Sequence, residues 1–233
     1  HSKNLSRTEV LREAKSFLGI VDHVDSIQKS WASPKPNGCS PIDTNGKVMG
    51  YLVNKRGLEP SIVNKYKVLG DRVKNAIVFP CYDPKGNLVN RSYRTLPVDG
   101  EKKKVWQDAE CAPCLFGWQM VTNEAYRKRA ILICEGQIDC MTWRQWGIEA
   151  LSVPNGSGMS WIDYEWENLA AFDNIYLAVD SDPAGQAIRD KIIQRLGKHR
   201  CLLVKMPYKD ANEALQKGVP AEDAQEWVGD AEL

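Results

Sequence analysis

The sequence predicts an α/β fold with a largely parallel sheet over residues 130–233, preceded by an α+β region built on a β-hairpin. Three observations predict it. After residue 130, short apolar runs alternate with helix-length segments, the rhythm of parallel strands joined by crossover helices. Upstream, Ala76–Tyr82 and Asn87–Arg94 flank the turn residues Asp83-Pro84-Lys85-Gly86, the pattern of a hairpin. Charge also changes sign near residue 130: residues 1–129 hold 22 Lys/Arg against 13 Asp/Glu, and residues 130–233 hold 9 against 17.

Residues 1–46 read as an N-terminal helix and a linker. Ser6-x-x-Glu9 matches a capping box, and Val10, Leu11, Ala14, Phe17 and Leu18 form a helical stripe behind it. Residues 31–46 crowd Pro, Gly and Asn, as a loop does. Leu58-Glu59-Pro60 opens a short helix that runs to about Tyr66, with Pro in its first turn. In the second hairpin strand, alternation puts Val89, Arg91 and Tyr93 on one face and Leu88, Asn90, Ser92 and Arg94 on the other. Neither face is purely apolar. Such Arg and aromatic side chains either stack on bases and pair with phosphates or decorate a half-exposed strand. Lys102-Lys103-Lys104 reads as a mobile basic loop, either solvated decoration or a nucleic-acid contact.

From residue 130 the elements alternate. Ala130–Cys134, Ile148–Val153, Asn174–Val179 and Cys201–Lys205 are strands; Gln137–Trp146, Trp161–Leu169, Pro183–Leu196 and Asp210–Gln216 are helices. In the first of these helices Ile138 and Met141 share one side and Trp143 and Trp146 another, so the buried side stays open.

The composition sets bounds on function. At 233 residues with 43% hydrophobic and 26% charged residues, the chain fits one large or two small globular domains. No apolar run approaches the ~18 residues of a membrane span. The formal net charge of +1 hides an excess of nine positive charges before residue 130 and eight negative charges after it. One surface could then meet a phosphate backbone and the other gather divalent metal, although chance segregation of solvated charge gives the same figures. Seven scattered cysteines without a signal peptide favour a reducing, cytoplasmic compartment. His1-Ser2 reads as a tag remnant or a cut from a longer protein.

In the acidic half, carboxylates recur where strands end. Glu135 follows the first strand, and Asp139, four residues on, can point from the same helical face. The third strand runs into Asp180-Ser181-Asp182-Pro183, and after the fourth comes Lys209-Asp210-Ala211-Asn212-Glu213. Three acidic clusters therefore gather at the C-terminal edge of one sheet, where open α/β folds place ligands. Hard oxygen donors of this kind suit Mg2+ or Mn2+. An Asp-x-Asp after a strand is alternatively a helix cap.

Glu135-Gly136-x-x-Asp139, Ser152-Val153-Pro154-Asn155-Gly156 and Asp180-x-Asp182-x-x-Gly185 together resemble the TOPRIM domain shared by DnaG-type primases, topoisomerases and some nucleases. Lys209–Glu213 narrows the resemblance to the primase half of phage and Twinkle-like primase-helicases. Tyr51–Gly57, Asp83–Val89 and Cys114-Leu115-Phe116-Gly117 are similar to the basic subdomain preceding TOPRIM in that group. The resemblance spans roughly residues 47–220, and residues 1–46 match nothing named.

The resemblance implies a basic subdomain over 47–129 and a Rossmann-like TOPRIM subdomain over 130–233 with a mainly parallel four-stranded sheet. It implies a nucleotidyltransferase: a DNA primase, that is, a DNA-directed RNA polymerase making short primers on single-stranded DNA from NTPs with Mg2+ or Mn2+. Glu135 would be a metal ligand or general acid/base, and Asp180 and Asp182 would serve with it as catalytic metal ligands. Asp210 would be a further ligand, with Asp139 supporting the set. Asn155 and Gly156 would lie in the turn approaching nucleotide or metal. Arg91 and Arg94 would face triphosphate and template, with Lys102, Lys103 and Lys104 beside them. Lys209 is either a phosphate ligand or a surface partner of Glu213.

Two departures qualify this. Cys111-Ala-Pro-Cys114 is half a zinc site that Cys39, Cys81 or His23 would have to complete, so zinc is not expected within the chain. No Walker motif occurs. A replicative helicase domain or subunit and a zinc ribbon are then partners supplied elsewhere, and the chain reads as a core cut from a larger one or working with separate partners. The location expected is a bacterial or phage-infected cytoplasm, or a mitochondrion or plastid for a Twinkle orthologue. A Twinkle-like single-stranded-DNA-binding module without synthesis, or a TOPRIM nuclease, are the alternative functions.

Overall fold

Buried Val48, Met49 and Leu52 anchor the first helix, α1 (Lys47–Gly50), which continues into a π turn over Tyr51–Lys55. The computed structural model describes residues 30–35, 39–41, 46–154, 158–179 and 183–232; the helix expected from Ser6 lies outside them. In the π turn the Arg56 N–H reaches back five residues to the Tyr51 carbonyl at 3.1 Å. Single π turns widen a helix locally and concentrate at functional sites. Pro60 occupies the first turn of α2 (Pro60–Lys65), where its missing N–H costs nothing. Ile62 and Val63 bury the inner face of α2, and Tyr66 closes it.

Five strands follow in an antiparallel sheet of order β1-β2-β3-β4-β5: β1 (Ser40–Pro41), β2 (Leu69–Asp71), β3 (Ala76–Tyr82), β4 (Leu88–Thr95) and β5 (Val105–Gln107). The expected hairpin is β3–β4. Asp83 shapes its turn by accepting the Lys85 and Asn87 N–H groups at 2.9 and 2.8 Å. Cys81 pairs with Asn90 but Tyr82 with Leu88, which leaves Val89 as an extra residue in a bulge that bends the strand. Asn90, Arg91, Ser92 and Tyr93 are all buried, so β4 is covered on both faces. That is why neither face reads as apolar or polar in sequence.

The second sheet is parallel, of order β7-β6-β8-β9. After α3 (Asn123–Lys128) come β6 (Ala130–Cys134), α4 (Gln137–Gln145), β7 (Ala150–Ser152), α5 (Ser160–Leu169), β8 (Asn174–Ala178), α6 (Pro183–Leu196), β9 (Cys201–Leu203), α7 (Ala211–Gln216) and α8 (Ala221–Gly229). The α/β reading holds. Helices α1, α3 and α8 were not foreseen, and β7 starts two residues late because Ile148 N still bonds to Trp143 O in the end of α4. On α4 both expected sides are buried: Ile138, Met141, Trp143 and Trp146. The helix is enclosed by the sheet, by α2 and α7, and by α8, whose Trp227 meets Trp146 edge to face at 6.2 Å.

Loop 112–118 joins the two sheets. Phe116 exchanges both backbone hydrogen bonds with Ser152, at 3.0 and 2.9 Å, and its ring stacks on Tyr66 at 5.1 Å and meets Phe79 edge-on at 5.7 Å. Gly117 has φ +117°, and a side chain there would strike Ala150 O at 2.9 Å. The buried Glu165 of α5 accepts from Leu115 N at 2.8 Å, Trp118 Nε1 at 3.1 Å and Asn168 Nδ2 at 2.7 Å. Burial pushes its pKa up and these hydrogen bonds pull it back. None of the seven cysteines is in a disulfide. No helix among the described residues is long and apolar enough to cross a membrane.

Candidate active site

In the parallel sheet the chain leaves β6 toward β7 on one side and returns to β8 on the other. The switch point therefore lies beyond the C-terminal ends of β6 and β8, the place where such sheets open a crevice. Glu135 follows β6 directly. Gly136 is the N-cap of α4 in extended backbone, and Asp139 stands in the first turn. A Cβ on Gly136 would come within 2.4 Å of Asp139 Oδ2, so that carboxylate lies close against the start of its own helix. Asp139 Oδ1 accepts the Asn212 N–H at 3.0 Å.

Asp210 caps α7, accepting the Glu213 N–H at 2.7 Å, while Glu213 Oε2 returns to Lys209 N at 2.9 Å. Glu213 Oε1 pairs with Lys217 at 2.8 Å, so the side-chain partner of Glu213 is Lys217. Lys209 instead lines a 270 Å³ pocket at the ends of β8 and β9, with Arg189, Lys205 and Tyr208.

The antiparallel sheet brings one of its two candidate arginines to this edge. Arg94 lies near Tyr51, Arg56, Asp139 and Asp210; burial lowers its pKa, Arg56 adds to that, and Tyr51 and the two carboxylates oppose it. Its guanidinium has no hydrogen-bond or ion-pair partner among the described residues. Arg91 goes elsewhere. Its side chain is 6% exposed, with Nε at 2.5 Å from Asp108 Oδ2 and an NH2 group on Lys35 O. The two sit on opposite faces of β4, and the segment around Lys35 covers the Arg91 face.

Arg94, Lys102 and Lys103 line a 110 Å³ cavity against Leu96–Val98. On the other side of that wall a cleft of 610 Å³ is lined by Lys47, Tyr51, Lys55, Arg56 and Asn75. The Lys104 backbone pairs with Thr95: Thr95 N donates to its carbonyl at 3.0 Å, and its N–H donates to Thr95 Oγ1 at 3.1 Å. Asn155, Gly156, Asp180 and Asp182 lie outside the described residues. Among the described residues no three His, Cys, Asp or Glu side chains form a metal-holding group.

Two residues escape sequence reasoning. Arg56 follows the π turn, donates from Nε to Tyr51 Oη at 2.7 Å and stacks over that ring at 5.2 Å. Asn212, 2% exposed, sits among the acidic residues of 209–213 but is neutral, so no charge pattern singles it out. A neutral amide two residues inside a predicted helix start was the available signal.

Residues 132–215 match the Toprim-like family model. Over 190 residues the chain is 29% identical to a primase homolog protein of Arabidopsis thaliana, covering 71% of this chain and 54% of that protein. It is 28% identical over the same length to the chloroplastic/mitochondrial Twinkle homolog protein of Arabidopsis thaliana, covering 71% and 26%. The chain thus spans about half the length of the first relative and a quarter of the second. The primase fragment of the bacteriophage T7 primase-helicase superposes with a TM-score of 0.63 at 21% identity, over 85% of this chain and 82% of that one. Residues 132–215 are therefore similar to the Toprim-like family, and the chain carries the fold of solved primase cores.

Proposed function

We propose that the chain is a DNA primase catalytic core, with a basic subdomain over 47–129 and a TOPRIM subdomain over 130–233. The observation that supports it best is Arg94, an arginine of the basic half with no hydrogen-bond or ion-pair partner among the described residues, near Asp139 and Asp210 of the acidic half. A half-buried guanidinium with no hydrogen-bond partner among the described residues suits an anion, and a nucleoside triphosphate is the anion such a junction would take. Single-stranded template would lie along Lys47, Lys55, Arg56, Lys102 and Lys103. There a 3′-hydroxyl would attack the α-phosphorus of the second NTP, with pyrophosphate leaving. Arg94 would orient the triphosphate.

The carboxylates at the sheet edge suit a divalent cation, Mg2+ or Mn2+. Asp139 sits in the first turn of α4 beside Glu135, with Oδ1 held by the Asn212 N–H, a place from which it can support a cation at the strand end. Glu135, Asp180, Asp182 and Asp210 would hold the ion, with Asp139 in support. When bound, it neutralises charge on the transferring phosphoryl group. A helicase domain or subunit is the partner proposed, consistent with the primase-helicase likeness, and a zinc ribbon would be supplied elsewhere. Cytoplasm, or the interior of a mitochondrion or plastid, is the proposed location, consistent with seven cysteines of which none is in a disulfide.

Primer synthesis from labelled NTPs on single-stranded DNA tests this reading. Template-dependent RNA of a few nucleotides is expected, lost in Asp180→Ala and Asp182→Ala. Product unchanged in those variants overturns the mechanism. DNA binding with steep salt dependence but no product would mark a binding module, and metal-dependent loss of DNA a nuclease.

A further inference from the structure

Between the basic cleft and the acidic edge stands Asn212, with every polar group engaged. Its N–H donates to Asp139 Oδ1 at 3.0 Å. Its Nδ2 donates to Arg56 O at 2.8 Å and to Thr142 Oγ1 at 3.1 Å. Its Oδ1 accepts from Gln216 Nε2 at 2.9 Å and, more weakly, from an Arg56 NH1 at 3.4 Å. Thr142 in turn donates to Ile138 O at 3.0 Å, so its lone pairs are what remain for Asn212. Nearby Gln145 of α4 clamps the same segment, donating to Gly57 O at 3.1 Å and accepting Glu59 N at 2.8 Å.

Packing alone does not call for this residue. Leu, Ala or Val would fill the space between α4 and α7 without the cost of burying an amide. Only a side chain offering two donors and an acceptor at one point satisfies a backbone carbonyl, a hydroxyl and an incoming amide together; Asp lacks the donors and Ser the reach. Fully satisfied buried networks fix one arrangement of the elements they join. Here those elements carry Arg56 of the 610 Å³ cleft and Asp139 of the sheet edge.

We infer that Asn212 is a positioning residue that locks the Arg56 segment to Asp139, so that the anion-binding cleft and the carboxylate edge hold their geometry as one unit. This rests on the functional reading above, in which the carboxylates take a divalent cation and the cleft takes nucleic acid. Removing the Asn212 side chain leaves its N–H on Asp139 but frees Arg56 O and Thr142 Oγ1, so the Arg56 segment loses its tie to the element that carries Asp139. Both ligand sites then loosen, although neither loses a residue that touches a ligand.

The test measures two affinities on the full chain. Mn2+ binding is followed by the paramagnetic resonance of the free ion, and binding of a labelled single-stranded 16-mer without metal by fluorescence anisotropy. In Asn212→Ala, Mn2+ affinity is expected to fall about tenfold, as it does when partners behind metal ligands are removed. DNA affinity is expected to fall about threefold in the same variant. A merely structural role would lower the folded fraction, and hence the number of sites, without moving either affinity. Thr142→Val, which removes one acceptor and keeps the shape, is expected to shift both affinities the same way by about twofold, and it carries the test if Asn212→Ala does not fold. Unchanged affinities in a folded variant, or a change in one ligand alone, overturn the inference while leaving primase function standing. A wild type that binds neither probe overturns the functional reading and this inference with it.

Discussion

At the scale of single residues, Glu165 shows how a charge serves the fold away from the chemistry. It is fully buried at the joint of the two sheets, and burial raises its pKa above the ordinary carboxylate value. The sign of the consequence follows. Between the unfolded and folded pKa values the unfolded chain has lost the proton that the native state keeps, so this residue's contribution to stability falls as pH rises through that window. Glu165→Gln keeps an acceptor for Leu115 N and Trp118 Nε1 and removes the titration. Thermal melts from pH 4 to 7 are therefore expected to show the wild type losing ground to Glu165→Gln as pH rises; parallel curves would contradict the assignment. Arg91 and Arg94 make the complementary point. Three residues apart on β4, and so on opposite faces, they meet opposite fates, one paired with Asp108 and the other near the acidic edge.

At the scale of elements, helix α7 carries two jobs at its first residues. Asp210 caps it through Glu213 N and also stands in the field of Arg94. The two jobs separate by substitution. Asp210→Asn keeps a capping oxygen and is expected to melt within a few degrees of wild type, while primer synthesis drops. Asp210→Ala loses the cap as well, at about 1 kcal/mol, read as a lower melting midpoint; equal activity in wild type and Asp210→Asn would reduce the residue to a cap. Strand–helix alternation, the hairpin and the Pro-led α2 were legible because each follows local spacing. The crowding of α4 was not, because Ile138, Met141, Trp143 and Trp146 are buried by three different neighbours, which no single-face periodicity can express. Nor was Asn212, whose role depends on partners 156 and 70 residues away in sequence.

At the scale of the whole molecule, a formal charge of +1 conceals two surfaces. The basic one is grouped around Leu96–Val98 between two cavities, and the acidic one stands at the switch point of the parallel sheet. Photo-crosslinks to single-stranded DNA are expected to map mainly to residues 47–129, and replacing Lys102 and Lys103 by Gln should flatten the salt dependence of binding by about two phosphate contacts. Crosslinks spread evenly over both halves would count against that division. The most direct question is whether the Arg94 junction is where nucleotides are joined. Dinucleotide synthesis on a single-stranded template, compared between wild type and Arg94→Gln, decides this. Product and pyrophosphate are expected from the wild type and at least about tenfold less, some 1.4 kcal/mol of transition-state stabilisation, from an Arg94→Gln protein that melts normally. Equal product from the two, or none from the wild type, would contradict it.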